Sequence, residues 1–405
     1  MTVSDHPVKF DYITPPRLTT SQKIKWVDEL DTQLSLRLNM EEYDKIPAQF
    51  RDYHISSGRV TFKVLGEFEV DLTVAGEDFQ KQFWFIDFRF GFQPAPSSLP
   101  ESLRTYLEAC VNDALSQHGL KGCYRFLHEF VLTAKINELK HQAAHLGGSV
   151  WTGSLKVEPL HRALAIQYWL PRTEVTSTKS WVLIAINSGK KPNTEEEDQL
   201  PSKLEATWYR DGKAIPDTKL DMNMDTLSAQ CLLSTVVGHH IRTILSGICQ
   251  QLGTMARYST QDTIVAIDTP MSSPLNSFLR VDNGQATNIR LSIEPTTGFF
   301  AVGPNSKFSI QHEHRLNNGK DPIEDGVICV EGIRSSILED ELHRRGNSKG
   351  WSSITSPLSL EENQGLTRLR TWTRSIWLRK YEWPLTWAIA IFLGASGDQW
   401  WLVEA

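Results

Sequence analysis

Residues 58–92 read GRVTFKVLGEFEVDLTVAGEDFQKQFWFIDFRFGF. Val60, Phe62, Val64, Phe68, Val70, Leu72 and Val74 fall on even positions, and Arg59, Thr61, Lys63, Glu67, Glu69, Asp71 and Thr73 on odd ones. Successive side chains of a strand point to opposite faces, so this parity predicts a sheet with its even face buried. Leu65-Gly66 is a hairpin turn, and Gly76–Gln82 a longer polar turn. Trp84, Ile86, Phe88 and Phe90 continue the even set. The expectation is a three-strand antiparallel meander. Glu67, Glu69 and Asp71 resemble a cluster of carboxylates, but parity puts all three on the odd face, toward solvent. Acid–base chemistry needs carboxylates that converge in a cleft with separated pKa values, which an open polar face does not supply.

The rest of the chain follows from its apolar spacing and its breakers. Residues 1–18 read as an irregular lead-in that stops at Pro15-Pro16. Thr20 or Ser21 caps a helix to about Met40, with Ile24, Val27, Leu30, Leu34 and Leu38 as its stripe. After Pro94 and Pro96, a helix is predicted over about 98–117, ended by Gly119 and Gly122. A second runs over about 123–146 and closes at Gly147-Gly148. The opening sheet is expected to pack against Leu99–Ala114 and its neighbours. Strands are then expected at Trp151–Val157 and Ala163–Leu170 around a Glu158-Pro159 turn, at Ser180–Asn187 and at Leu204–Arg210. The segment KKPNTEEEDQLP, Lys190–Pro201, reads as a mobile acidic loop. A helix over about 225–252 follows.

Four short strands come next, at Thr263–Ile267, Ser277–Val281, Ile289–Ile293 and Phe299–Val302, then helices over about 323–344 and 362–380. Strands at about Trp387–Leu393 and Gln399–Glu404 close the chain. The fold class expected is α+β, with repeated antiparallel β-meanders each packed on α-helices. Its blocks are 1–148, 149–258 and 259–405, and a chain that stops inside a strand reads as a piece of a longer one.

At 405 residues the chain has room for two or three domains. Its net charge of −6 supplies no basic field for phosphates, so direct nucleic-acid binding is not expected. The five cysteines, 110, 123, 231, 249 and 329, are widely spaced and contain no C-x-x-C, which predicts free thiols in a reducing compartment. MTVSDHPVKF lacks the apolar core of a signal peptide. The longest apolar run, Leu385–Ala395, is shorter than the ~20 residues that a bilayer-spanning helix needs, so no membrane role is expected.

Three histidine groups invite a metal reading. HQAAH, His141–His145, puts two histidines on one helix face, but a zinc protease needs HExxH and Gln142 cannot act as a base. His312-Glu313-His314 has ligand spacing on a strand, with no partner cluster. His239-His240 sits in an apolar helix, where neighbours point about 100° apart. Neither a Gly-rich phosphate loop nor a G-x-S-x-G nucleophile elbow occurs.

GRVTFKVLGEFEVDLTV followed by FWFIDFRFGF, together with PPRLTTSQKIKWVDELDTQLSLRL and IPAQFRDYHISSGRVTF before it, resembles the family of subunit 14 of Mediator, the RNA polymerase II coactivator complex, in its fungal form. The readable resemblance covers about residues 13–147, and the remainder fits by element order. Gly58, Arg59, Val60, Thr61, Phe62, Glu67, Phe68, Glu69, Val70, Trp84 and Phe88 carry it. The resemblance implies a nuclear, non-enzymatic scaffold that ties the head, middle and tail modules together. Its implied partners are other Mediator subunits and, indirectly, RNA polymerase II. It implies no metal, no cofactor and no catalytic residue. Arg59, Glu67 and Glu69, on the odd face, are the candidate partner contacts. Family members carry a helical region before the Pro-Pro segment and extend far past this length. Two other readings stand beside it: an adaptor of another large assembly, and a metal-dependent hydrolase using His141 and His145.

Overall fold

The structure, a computed structural model, describes residues 18–366 and 372–404, except 77, 79–80, 97, 171–178, 189–200, 216–219, 221, 259–262, 271–273 and 283–287. Residues 1–17 of the predicted lead-in and 190–200 of the predicted acidic loop lie outside the described residues. Among the described residues are four sheets, each an antiparallel run of strands in chain order. With the helices between them they bear out the α+β expectation.

The described residues of Met1–Leu139, Ile186–Glu205 and Met222–Leu227 form one compact unit, and those of Lys140–Ala185, Ala206–Asp221 and Ser228–Ala405 a second.

In the first unit, α1 (Thr20–Leu36) begins one residue earlier than its sequence signal. Thr19 is the N-cap, in a capping box with Gln22. Leu34 and Leu38 of the predicted stripe are buried, whereas Ile24 is exposed. The helix widens into a π-turn at Arg37–Glu41. Arg37 is buried there, with its guanidinium 4.0 Å from the centre of the Phe83 ring and 3.3 Å from Glu42.

The first sheet has four strands: β1 (Tyr53–Ser56), β2 (Arg59–Val64), β3 (Phe68–Val74) and β4 (Phe83–Phe90). β1 was not anticipated; it is the short edge strand before the Ser57-Gly58 turn, where both residues have positive φ. The even residues of β2 and β3 are buried, as parity requires. In β4 the parity breaks. A bulge opposite Asp71/Leu72 sets Asp87 against Asp71 but Phe85 against Leu72. The extra residue, Ile86, reverses the parity of the residues before it, while Phe88 after it stays in the core. Phe83 and Phe85 therefore join the core, and Trp84, expected inside, is 42% exposed.

The core of this sheet is a cluster of rings. Phe50 stacks on Phe62 at 4.6 Å, and Phe68 stacks on Phe88 at 5.8 Å. Tyr124 and Phe130 cover them from α2 (Glu101–Gly148). α2 is two helices joined at Gly119, whose φ of 61° and ψ of −148° break the spiral at the predicted stop. The covering rings come from its second half, not from Leu99–Ala114. The first half supplies Asn112, whose side chain accepts the Phe85 N–H at 2.9 Å.

The second sheet comprises β5 (Leu155–Leu160), β6 (Ala163–Tyr168), β7 (Ser180–Asn187), β8 (Lys203–Arg210) and β9 (Lys213–Ala214). Its first turn is at His161-Arg162, with Arg162 at φ 55°, rather than at Glu158-Pro159. Pro159 is tolerated because β5 is an edge strand and needs no donor on its open side. α3 (Ala229–Thr254) starts four residues later than predicted, at the Ser228 N-cap.

The third sheet, β10 (Ile264–Asp268), β11 (Phe278–Asp282), β12 (Asn288–Ile293) and β13 (Phe300–Gly303), matches its four predicted strands to within about a residue. Two helices follow, α4 (Lys307–Asn317) and α5 (Pro322–Ser348). The fourth sheet holds β14 (Trp351–Ser353), β15 (Arg374–Lys380), β16 (Trp387–Leu393) and β17 (Gln399–Glu404). The helix predicted over 362–380 is instead the short α6 (Leu360–Leu366) and strand β15. Ile376, Trp377 and Leu378 are buried in succession, which a two-faced strand allows and an amphipathic helix does not. One face meets Leu338 and Leu342 of α5, and the other packs against Ile354, Leu358 and Trp372.

A buried ion network crosses the second unit. Arg334, on α5, bonds Glu331 of its own helix and both oxygens of Asp398, at 3.1 and 3.2 Å, in the β16–β17 turn. The Tyr258 hydroxyl donates to Glu331 at 2.6 Å. Asp398 also pairs with Arg257 at 3.4 Å.

Candidate partner-contact surface

The odd face of the first sheet is polar, but its acids are not equivalent. Asp71 is only 2% exposed. One carboxylate oxygen accepts from the Thr61 hydroxyl at 2.8 Å and from Arg89 Nη2 at 2.9 Å. The other accepts from Arg59 Nη1 at 3.1 Å and from Arg89 Nη1 at 3.2 Å. Burial raises the Asp71 pKa, but bonds from Arg89, Thr61 and Arg59 outweigh it and hold the carboxyl below its usual value. Asp71 therefore does not face solvent, contrary to the parity reading. Arg89, which pairs with Glu69 in the part of β4 where parity holds, lies over it. Parity specifies a face; it cannot say that two arginines will close over one member of it.

Arg59 and Glu69 are the partly exposed members of this network. Arg59 is half of the clamp on Asp71. Glu69 pairs with Lys63 at 3.4 Å and with Arg89 at 3.4 Å. Arg89 also meets Asp87 at 3.1 Å, and Arg104 reaches Asp87 at 3.5 Å. The result is a ribbon of alternating charge with no unopposed cluster of carboxylates.

Glu67 sits apart from that ribbon, in the β2–β3 turn. Its carboxylate lies 2.7 Å from Nδ1 of His128 on α2, and Nε2 of the same ring lies 2.7 Å from the carbonyl oxygen of Ser202. Both partners are acceptors only, so both ring nitrogens must carry protons and His128 is an imidazolium. Burial works against that charge. The Glu67 bond and charge, the Ser202 carbonyl and Glu129 outweigh it, and the pKa is raised. Nearby, Lys135 is 2% exposed and donates to the Met224 carbonyl at 3.0 Å, its pKa lowered by burial. His128 thereby holds Glu67, at the tip of the first sheet, against α2. Gly66 is favoured in that tip by its φ of 70°, and a Cβ there would also displace the Asp225 carboxylate.

His128 and Lys135 were missed in the sequence. The available signal is their spacing: His128, Leu132, Lys135 and Leu139 follow a helical core repeat, and all four are buried.

The raised pKa has a sign that can be checked. A group with its pKa raised by folding stabilises the fold fully below its unfolded value, near 6.5, and loses that contribution as pH rises through the folded value. The stability gap between wild type and His128→Gln is therefore expected to be widest in mildly acidic solution and to narrow as pH increases. Urea midpoints measured from about pH 5.5 upward test this; a gap that widens with pH would rule out the imidazolium.

The structure does not bring the histidine groups together as a metal centre. His141 and His145 are both exposed, and Gln142 accepts the Ala229 N–H at 2.9 Å at the start of α3. His312-Glu313-His314 lies on helix α4, not on a strand, so His312 is buried and His314 exposed. His239 is exposed and His240 buried. Among the described residues, no group of three or more His, Cys, Asp or Glu could hold a metal ion. No helix among them is long and apolar enough to cross a membrane. The five cysteines are free; Cys123 and Cys329 are buried, and Cys231 is exposed.

Two family models match the chain. One, described as "Mediator complex subunit MED14", matches residues 2–76, and the other, "Fungal Med14 domain", residues 248–342. A Neurospora crassa protein named "Mediator of RNA polymerase II transcription subunit 14" is 40% identical over 97% of this chain and 32% of its own length. Proteins of the same name from Pyricularia oryzae and Chaetomium globosum are 39% and 35% identical, over 97% and 98% of this chain and 36% and 34% of their own lengths. The similarity thus runs well past the point near Gly147 where it stops being readable by eye. The chain spans about a third of the length of these relatives.

Proposed function

The chain belongs to the fungal Mediator subunit 14 family, and from that premise we propose that it is a non-enzymatic scaffold segment of Mediator. In this reading it helps to link the head, middle and tail modules and supports regulated transcription by RNA polymerase II in the nucleus. Other Mediator subunits are its direct partners, and the polymerase is reached through them. The observation that carries the proposal is similarity to Mediator subunits along 97% of the chain. The polar face of the first sheet is consistent with it, because its charges are spent on one another rather than converged on a reacting centre. The blocks 1–148, 149–258 and 259–405 are proposed as its building units.

Capture of the tagged chain from nuclear extract of its own source, read by mass spectrometry, tests this. Head and middle subunits are the expected catch. A folded chain that recovers none of them overturns the scaffold reading.

Arg59, Glu67 and Glu69 are proposed contacts of unequal quality. Glu69→Lys replaces a partly exposed surface acid whose ion pairs are worth about 0–1 kcal/mol. It is expected to weaken subunit capture with little change in melting temperature. Arg59→Gln does the same with a small loss of stability, since Arg89 still holds Asp71. Glu67→Lys is expected to lower the melting temperature, because it puts a like charge against His128. Unchanged capture by the Glu69 variant removes that residue from the interface.

A further inference from the structure

A cavity of about 390 Å³ opens in the second unit, lined by Trp169, His240, Phe300, Ile323, Arg210 and Lys320 among others. Its back wall is a chain of hydrogen bonds. The Trp208 indole N–H, which can only donate, gives its proton to the Tyr168 hydroxyl oxygen at 2.8 Å. That hydroxyl lies 3.0 Å from Nδ1 of His240, placed to donate its own proton to it. With Nδ1 accepting, a neutral imidazole carries its proton on Nε2. The ring is neutral: burial, reinforced by the charge of Arg210, pushes its pKa down to about 3.

His240 is only 7% exposed, yet Nε2 has no acceptor among the described protein groups, and the ring lines the cavity. The ring cannot turn to find one. Trp169 stacks on it at 4.6 Å and is itself pinned, with its indole N–H donating to the Pro295 carbonyl at 2.8 Å. Gly298 passes under the indole so closely that a Cβ would lie 2.7 Å away.

The charges around the opening are unbalanced in their engagement. Asp211 pairs with Arg210 at 3.3 Å. Asp321 accepts from the backbone N–H groups of Ile323 and Glu324 as the N-cap of α5. Both carboxylates are thus in use. Lys320 has no acceptor among the described residues and is exposed beside them. The cavity therefore offers an oriented N–H donor at its back, a free ammonium at its mouth, and apolar walls from Ile244, Phe300 and Ile323.

We propose that this cavity binds a carboxylate on a short aliphatic stem, and that the ligand is a glutamate or aspartate side chain of an acidic peptide segment. The carboxylate accepts from His240 Nε2–H and faces Lys320, while the stem lies on the apolar walls. A carboxamide of the same shape can offer its carbonyl oxygen to Nε2–H but brings no charge to Lys320 and only a neutral hydrogen bond, so it binds more weakly. A charge-assisted hydrogen bond of ~1.5–3 kcal/mol makes that preference on the order of tenfold or more.

The test uses the full chain labelled with ¹⁵N-histidine. Long-range ¹H–¹⁵N spectra report the tautomer of each ring, and His240→Gln identifies the His240 signals by their loss. The probes are acetyl-Leu-Glu-Leu-amide, its Gln counterpart and glutarate. The expected result is His240 protonated on Nε2, a saturable shift of its nitrogens with the Glu peptide, and binding of the Gln peptide weaker by about tenfold. Lys320→Gln, an exposed change that leaves the fold intact, should weaken the Glu peptide about two- to fivefold. Glutarate binding as well as the peptide upholds the carboxylate site and assigns it to a free acid. Protonation on Nδ1, no response at His240 to either carboxylate probe, or equal binding of the Gln peptide overturns the proposal.

Discussion

Arg334→Met is expected to destabilise the second unit by about 3–5 kcal/mol, the cost of leaving a buried carboxylate without its counter-ion. Arg334 is 1% exposed and touches Glu331 and Asp398 at once, so its loss removes a clamp between α5 and the β16–β17 turn. Glu331 is 5% exposed and, among the described residues, would keep the Tyr258 hydroxyl as its charge-stabilising partner. Asp398 is less affected, because Arg257 remains at 3.4 Å. Urea denaturation of the chain measures the loss. The double variant Glu331→Leu with Arg334→Met removes both buried charges and is expected to recover part of it. A double variant no more stable than Arg334→Met would show that the cost comes from lost packing rather than from a stranded charge.

Phe68→Ala should cost a similar ~3–5 kcal/mol in the first unit. Phe68 has no exposed surface and contacts the rings of Phe50, Phe88 and Tyr124. Removing it opens a cavity among side chains held by a 3-10 turn, a strand and a helix, which cannot collapse onto one another. Trp84→Ala is the informative control. Parity from residue 60 onward puts Trp84 in the same core, whereas the bulge at Asp71/Leu72 puts it on the polar face. The structure therefore predicts a loss below about 1 kcal/mol for Trp84→Ala, as for an ordinary surface change. A loss as large as that of Phe68→Ala would mean that β4 is not shifted in register.

Much of the secondary structure was legible because its signals are local. The alternation from Val60 to Val74, the glycine at 119, the run Ser180–Asn187 and the strands of the third sheet each depend on neighbours in sequence. The failures also have a common cause. The 362–380 segment has enough apolar residues at helical spacing to read as a helix, but Ile376, Trp377 and Leu378 are buried on two faces by elements far along the chain. The ligand spacing of His312-Glu313-His314 holds only on a strand, and nothing in three residues tells a polar helix from a polar strand. Pro159 read as a turn because only the sheet order shows that β5 is an edge.

The sequence by itself determined the α+β class, the buried even face of β2 and β3, the breaks at glycine and proline, and the family, since each is written in residue type and short-range spacing. The tertiary structure alone decided the pairing of charges. Asp71 under two arginines, His128 between Glu67 and Ser202, Arg334 between Glu331 and Asp398, and His240 behind Tyr168 are mostly partnerships between residues tens of positions apart. An ionisable side chain takes its protonation and its role from what lies within a few ångströms, and chain separation carries no information about that distance.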